Sequence, residues 1–219
     1  MSIAASGSLR RSLSVLPLVA VLLAPMTLQA QQLVDEATGT TFSPTAAVGG
    51  VTYKCLGAGV RKVYMFVKVY AATFCIDAAT ADKVVAASQG GKGSSADALS
   101  EDPRFFSTLI DQSGGKLVIM KLTHDITAEK MANAFREALG KILPAEKVAK
   151  LIATIPGDAK EGQQVQLYSS GNQLTIDIAG SKKTIDDAEI AQKLWYVWLG
   201  PEGVSPTLKK SIAKHAAGG

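Results

Sequence analysis

Residues 51–76 read VTYKCLGAGVRKVYMFVKVYAATFCI, and their interpretation decides the fold. The stretch is rich in β-branched and aromatic residues, which suit a pleated, packed surface. It reads as two strands broken at Leu56-Gly57-Ala58-Gly59, the second running from Val60 to Ile76. Alternate positions of that second strand are Tyr64, Phe66, Lys68, Tyr70 and Val63, Met65, Val67, Val69. Both sets are substantially apolar, which predicts a central strand covered on both faces.

Working outward, residues 31–50 are mixed and polar and predict a short strand or a loose arm. Downstream, residues 77–87 predict a short helix, and Gly90, Gly91 and Gly93 mark a surface loop. Lys116 to Leu122 is a strand. Thr127 caps a helix whose apolar stripe is Met131, Ala134, Phe135, Ala138 and Leu139. A second helix opens at Pro144, buries Val148, Leu151, Ile152 and Ile155, and stops at Gly157. Gln163 to Tyr168 and Gln173 to Ile178 alternate with period two around Ser169-Ser170-Gly171-Asn172, a hairpin signature. After a turn at Gly180-Ser181 and a short strand near Ile185, Asp186 or Asp187 caps a helix with the stripe Ile190, Leu194, Val197 and Trp198. Ser205-Pro206 starts the last helix. The order predicts an α+β domain over residues 31–219, with a mainly antiparallel sheet and helices packed on one face.

The first thirty residues read as an address. Arg10 and Arg11 precede an uncharged run from Ser12 to Leu28, and Leu28-Gln29-Ala30 ends in a small residue. This is the pattern of a secretory signal peptide cleaved after Ala30. A single membrane anchor is the alternative, opposed by Pro17, Pro25 and the lack of a basic stop-transfer cluster. The nearest cysteine is far from the cut, against a lipoprotein. A periplasmic or secreted chain without a stable anchor is expected. Cleavage would reduce the net charge from +4 to +2, because residues 1–30 carry two arginines and no acid. No Lys/Arg-rich tract appears, so a nucleic-acid partner is not expected. In an oxidising compartment Cys55 and Cys75 either pair or stay as two buried thiols on different strands.

The 219 residues, 47% of them hydrophobic, exclude low-complexity disorder, and two cysteines exclude a disulfide-built miniprotein. The common catalytic signatures are missing: no G-x-S-x-G, no H-E-x-x-H and no phosphate loop. Leu56-Gly57-Ala58-Gly59 lacks the third glycine and following helix of a dinucleotide site. His124 and His215 have no partners at ligand spacing, so neither a metal nor any other cofactor is expected. What stands out is Arg61, a cation entering a strongly apolar strand. A guanidinium buried there needs an internal carboxylate or an acidic ligand. Even spacing puts Lys68 and Tyr70 on one face. The odd spacing from Arg61 to Tyr70 lets those two share a face only across a bulge or bend.

Read together, these segments resemble the chalcone isomerase family, especially its exported bacterial chalcone-isomerase-like members. The carrying residues are Leu56-Gly57-Ala58-Gly59-Val60-Arg61, Val67-Lys68-Val69-Tyr70-Ala71-Ala72, and Leu122-Thr123-His124-Asp125-Ile126-Thr127-Ala128-Glu129-Lys130. Trp198-Leu199-Gly200 and Gly203-Val204-Ser205-Pro206 follow in order. The resemblance implies an open-faced β-sandwich, a large antiparallel sheet covered by a layer of helices with a ligand cleft between them. In the plant isomerases a cleft Arg, Thr, Tyr and Asn position a chalcone for ring closure. By resemblance Arg61 matches the arginine, Tyr70 stands in the place of the threonine, Thr127 in that of the tyrosine and Ala134 in that of the asparagine. Arg61, Tyr70 and Thr127 are thus the catalytic candidates, with the amide missing.

Arg plus Tyr in a Lys-Val-Tyr-Ala context is instead similar to the family's fatty-acid-binding branch, where the two residues hold a carboxylate and an apolar cleft holds the tail. The expected ligand-binding set is Arg61, Tyr70, Lys68 and Thr127 at the polar end, with Met65, Val67, Met131 and Phe135 along the tail. Met131 and Phe135 also fit ordinary core packing, as do Trp195 and Trp198. Three functions follow: a binding protein for a small lipophilic acid, an isomerase acting on a phenolic enone, or an interaction protein whose cleft is closed and whose Arg61 pairs with an internal acid.

Overall fold

Strand β4 (Val51–Val63) runs through Gly57-Ala58-Gly59 without a break and turns only at Tyr64–Phe66, into β5 (Val67–Asp77). The expected break at the glycines is therefore wrong, and so is the single long strand from Val60 to Ile76. The glycines have another purpose. The last helix, α8 (Pro206–Ala216), lies directly across β4. A Cβ at Gly59 would come within 2.2 Å of the Leu208 nitrogen, and one at Gly57 within 2.6 Å of the Ile212 nitrogen. Missing side chains let the helix backbone rest on the strand.

The computed structural model describes Met1 and residues 32–64, 66–89 and 95–219. The expected signal segment, Met65 and the glycines at 90, 91 and 93 lie outside the described residues. Among the described residues seven strands form one antiparallel sheet in the order β3 (Thr45–Val48), β4, β5, β6 (Lys116–Leu122), β7 (Gln164–Ser170), β8 (Gln173–Ile178), β9 (Ser181–Asp186). Each strand pairs with the next in sequence, so the sheet is a meander with helical excursions between β5 and β6, and between β6 and β7.

One face of the sheet carries the main core. Against it pack α3 (Pro103–Asp111), α4 (Ala128–Leu139), α5 (Ala145–Ala153), α6 (Ala188–Lys193), α7 (Tyr196–Leu199) and α8. Phe74 of β5 meets Trp195 edge-on at 6.1 Å. The opposite face is covered over β4 and β5 by a small hairpin, β1 (Leu33–Asp35) and β2 (Thr40–Phe42). Phe42 packs there on Ala58 and Ala71. The short strand or loose arm expected before residue 50 is thus three short strands. Strand β5 is buried on both faces only from Tyr70 onward, whereas Tyr64, Phe66 and Lys68 are exposed. Cys55 and Cys75 face each other across β4 and β5 and form a disulfide, which decides between pair and thiols.

The local signals hold elsewhere. Thr127 accepts the Lys130 N–H at 3.2 Å to cap α4, and Asp187 accepts from Glu189 and Ile190 to cap α6. Ser205 caps α8, with Pro206 in the first turn. The stripe from Ile190 to Trp198 is split into α6 and α7 at Leu194-Trp195. Helix α5 ends at Ala153, short of Gly157. Three helices near the β5–β6 excursion are α1 (Ala81–Ser88), α2 (Ala96–Glu101) and α3; the periodicity predicts only the first.

Candidate functional site

The β4–β5 hairpin resolves the spacing of the two polar candidates. Arg61 and Tyr70 are direct cross-strand partners, so their side chains leave the same face, the helix-covered one. A bulge lies immediately beyond them, because the next pair is Lys62 with Lys68 and Val69 is the extra residue. Alternation then sends Lys68 to the face opposite Tyr70, contrary to the even-spacing expectation. Lys68 is exposed and its Nζ donates to the Ala37 carbonyl at the β1–β2 turn.

Between the sheet and α4 lies a cavity of about 410 Å³. Its floor is Val67, Val69, Met120, Leu122, Val165, Leu167 and Ile176, from β5 to β8. Met131, Ala134 and Phe135 of α4 form the roof, with Val197 and Trp198 of α7 closing one side. Arg61 and Tyr70 supply polar groups to its lining, as do His124, Asp125 and Lys130. The cleft is open, so the closed-cleft expectation does not describe this chain.

Tyr70 is almost wholly buried, 3% exposed, and its hydroxyl accepts a 3.0 Å hydrogen bond from the Trp198 indole N–H. Burial raises its pKa above the usual phenol value, against the opposing pull of the Arg61 charge and the Trp198 N–H. The hydroxyl therefore keeps its proton at neutral pH, and it donates that proton to no described residue. Arg61 is half-buried. Among the described residues no carboxylate forms an ion pair with it. Glu137 and Glu202 border a groove on its other side, but Glu202 is 3.8 Å from Lys141 instead. Among the described residues the guanidinium therefore lacks the internal acid that its burial calls for. Asp125 is likewise engaged, by Lys160 at 3.1 Å and the Glu161 N–H at 2.9 Å.

Of the sequence candidates, Arg61, Tyr70, Val67, Met131 and Phe135 line the cavity. Lys68 and Thr127 do not: the first faces away, and the second is exposed and spends its hydroxyl on the helix cap. Met65 lies outside the described residues. The sequence reading missed Trp198 as the partner of Tyr70, and it missed the inward residues of β6, β7 and β8. Their alternation is the only signal, and it looks the same for a cavity wall as for a core. No group of three or more His, Cys, Asp or Glu side chains among the described residues is arranged to hold a metal ion.

A curled antiparallel sheet with one helix-covered face, and an apolar cavity between the layers, defines an α+β ligand-cleft fold. The chain belongs to the chalcone isomerase-like family, whose profile matches residues 34–212. Among solved structures it is similar to a fatty-acid binding protein of Arabidopsis thaliana, with a TM-score of 0.66 and 16% identity, over 85% of this chain and 98% of the other. No curated protein matches the chain by sequence.

Proposed function

We propose that this protein is a non-catalytic binder of a fatty acid or similar lipophilic carboxylate. The observation that carries the reading is the Arg61 guanidinium, without an acid partner among the described residues, beside the Tyr70 hydroxyl in the lining of an apolar cavity. Arg61 supplies charge-assisted donors matched to a carboxylate. The neutral phenol adds a further donor. A cavity of about 410 Å³ falls in the range of small-molecule sites, and its walls are the side chains that would meet a hydrocarbon tail. The Arabidopsis neighbour, a fatty-acid binding protein by name, supports the same reading.

The isomerase alternative finds less support. Ring closure of a chalcone needs donors placed around the developing enolate. Ala134, where the resemblance implies an asparagine, offers the cavity a methyl group, and the Thr127 hydroxyl lies outside it. We also propose that residues 1–30 export the chain, a reading supported by the Cys55–Cys75 disulfide, which favours an oxidising compartment.

The test is extraction and mass spectrometry of lipid from the isolated protein, followed by fatty-acid titration. Arg61→Ala is expected to weaken binding by about 10- to 100-fold, and Tyr70→Phe by roughly fivefold. Equal affinity in wild type and Arg61→Ala, with no lipid extracted, ends the proposal. A chalcone absorbance band that decays faster with protein than without it would favour the isomerase instead.

A further inference from the structure

The turn joining β4 to β5 breaks two rules at once. Tyr64 and Phe66 are 79% and 77% exposed, where large apolar side chains are usually buried. Apart from the terminal Met1 and Val34 at 48%, they are the exposed large hydrophobics among the described residues. Tyr64 also holds a φ of +53°, a conformation that L side chains rarely adopt, so nothing about the turn itself favours an aromatic there. Immediately behind the tip, Lys62 and Lys68 are paired directly across the two strands, both exposed, the Lys68 Nζ also donating to the Ala37 carbonyl. Like charges in that position oppose folding.

From this arrangement we infer that the β4–β5 tip docks on an anionic lipid bilayer, with Tyr64 and Phe66 entering the interface and Lys62 and Lys68 meeting the headgroups. Aromatic side chains favour the boundary between headgroups and acyl chains. Lysines just behind them are drawn by anionic lipid within a Debye length of the surface. A second copy of the chain suits the tip less well. Two side chains fall well short of the ~800 Å² per partner of a stable interface, and a symmetric pairing brings the lysine pairs toward each other. Val63 and Val67, one step behind the tip, line the cavity, as does Tyr64 itself. Docking there brings these lining residues to the membrane surface. Handover of a lipophilic acid past them rests on the function proposed above; the docking does not.

Vesicle flotation without added ligand tests the inference. The isolated protein is mixed with vesicles of phosphatidylcholine alone or of phosphatidylcholine with about a third phosphatidylglycerol. The expected result is partitioning to the anionic vesicles that falls at least about tenfold in the double variant Tyr64→Ser/Phe66→Ser. Lys62→Gln/Lys68→Gln is expected to remove the preference for anionic over neutral vesicles and flatten the salt dependence. Circular dichroism shows that each variant is folded. Any binding by the run Ser12 to Leu28 is common to all variants, so the differences between them read the tip. Equal partitioning of the Ser variant and the parent overturns the inference. So does a concentration-dependent dimer that the same substitutions dissolve. Either failure leaves the carboxylate titration unaffected, and a failed titration leaves the flotation result standing.

Discussion

Lys116 opens β6 with a charged group where its neighbours are core, and only 1% of it is exposed. Its Nζ donates to the Gln112 carbonyl at 2.7 Å and to Gln192 Oε1 at 3.3 Å, both neutral acceptors. Burial consequently lowers its pKa to about 8, with Asp111 pulling weakly the other way. Between about pH 8 and the unfolded value of 10.5, the unfolded chain binds more protons than the folded one. Lys116 thus makes stability rise with pH across that window, by on the order of 3 kcal/mol in all, and contributes no slope below it. Urea denaturation of wild type and Lys116→Met checks this. The variant's stability relative to wild type should fall between pH 8 and 10, and a flat difference would refute the assignment. At the candidate site, Arg61 was legible because a lone cation in an apolar strand is conspicuous, and Tyr70 through the Lys-Val-Tyr-Ala context of the family resemblance. Their contact was not, because it depends on where the chain turns.

That turn is the chief lesson among the elements. Glycines serve both as turn formers and as places of close approach, and the letters Gly57-Ala58-Gly59 do not say which. The actual reversal at Tyr64–Phe66 has none of the usual turn residues, so it was invisible. By contrast β6, α4 and the β7–β8 hairpin follow directly from period and caps. The close approach makes its own prediction. Gly59→Ala should destabilise the protein by roughly 3 kcal/mol, because Leu208 backbone atoms occupy the space a methyl group needs. Gly157→Ala, where nothing lies within 4 Å, serves as control and should change stability by less than about 0.5 kcal/mol. Thermal denaturation of the two variants distinguishes a packing glycine from a spacer.

Across the whole molecule the two faces of the sheet divide the work. The helix-covered face holds the cavity, while the disulfide sits on the other face with Tyr53 and Leu117, under the small hairpin. Closing a loop of 20 residues should contribute about 3 kcal/mol through the unfolded chain. Cys55→Ala/Cys75→Ala is therefore expected to lower stability by about that amount in urea denaturation, while fatty-acid affinity stays within about twofold. A large loss of affinity in a folded double variant would mean that the two faces are coupled.

The last helix carries one more consequence. Beyond Lys54 the strand β3 no longer pairs with β4. There the Ala58 N–H donates to Ser211 Oγ at 3.0 Å, the Val60 N–H donates to Thr207 Oγ1 at 2.9 Å, and Ser205 Oγ donates to the Val60 carbonyl at 2.9 Å. Three hydroxyls imitate a neighbouring strand. Without them, that margin would offer bare amides and carbonyls to any extended peptide and become a template for aggregation. The C-terminal segment is in this sense the protein's own guard against polymerisation.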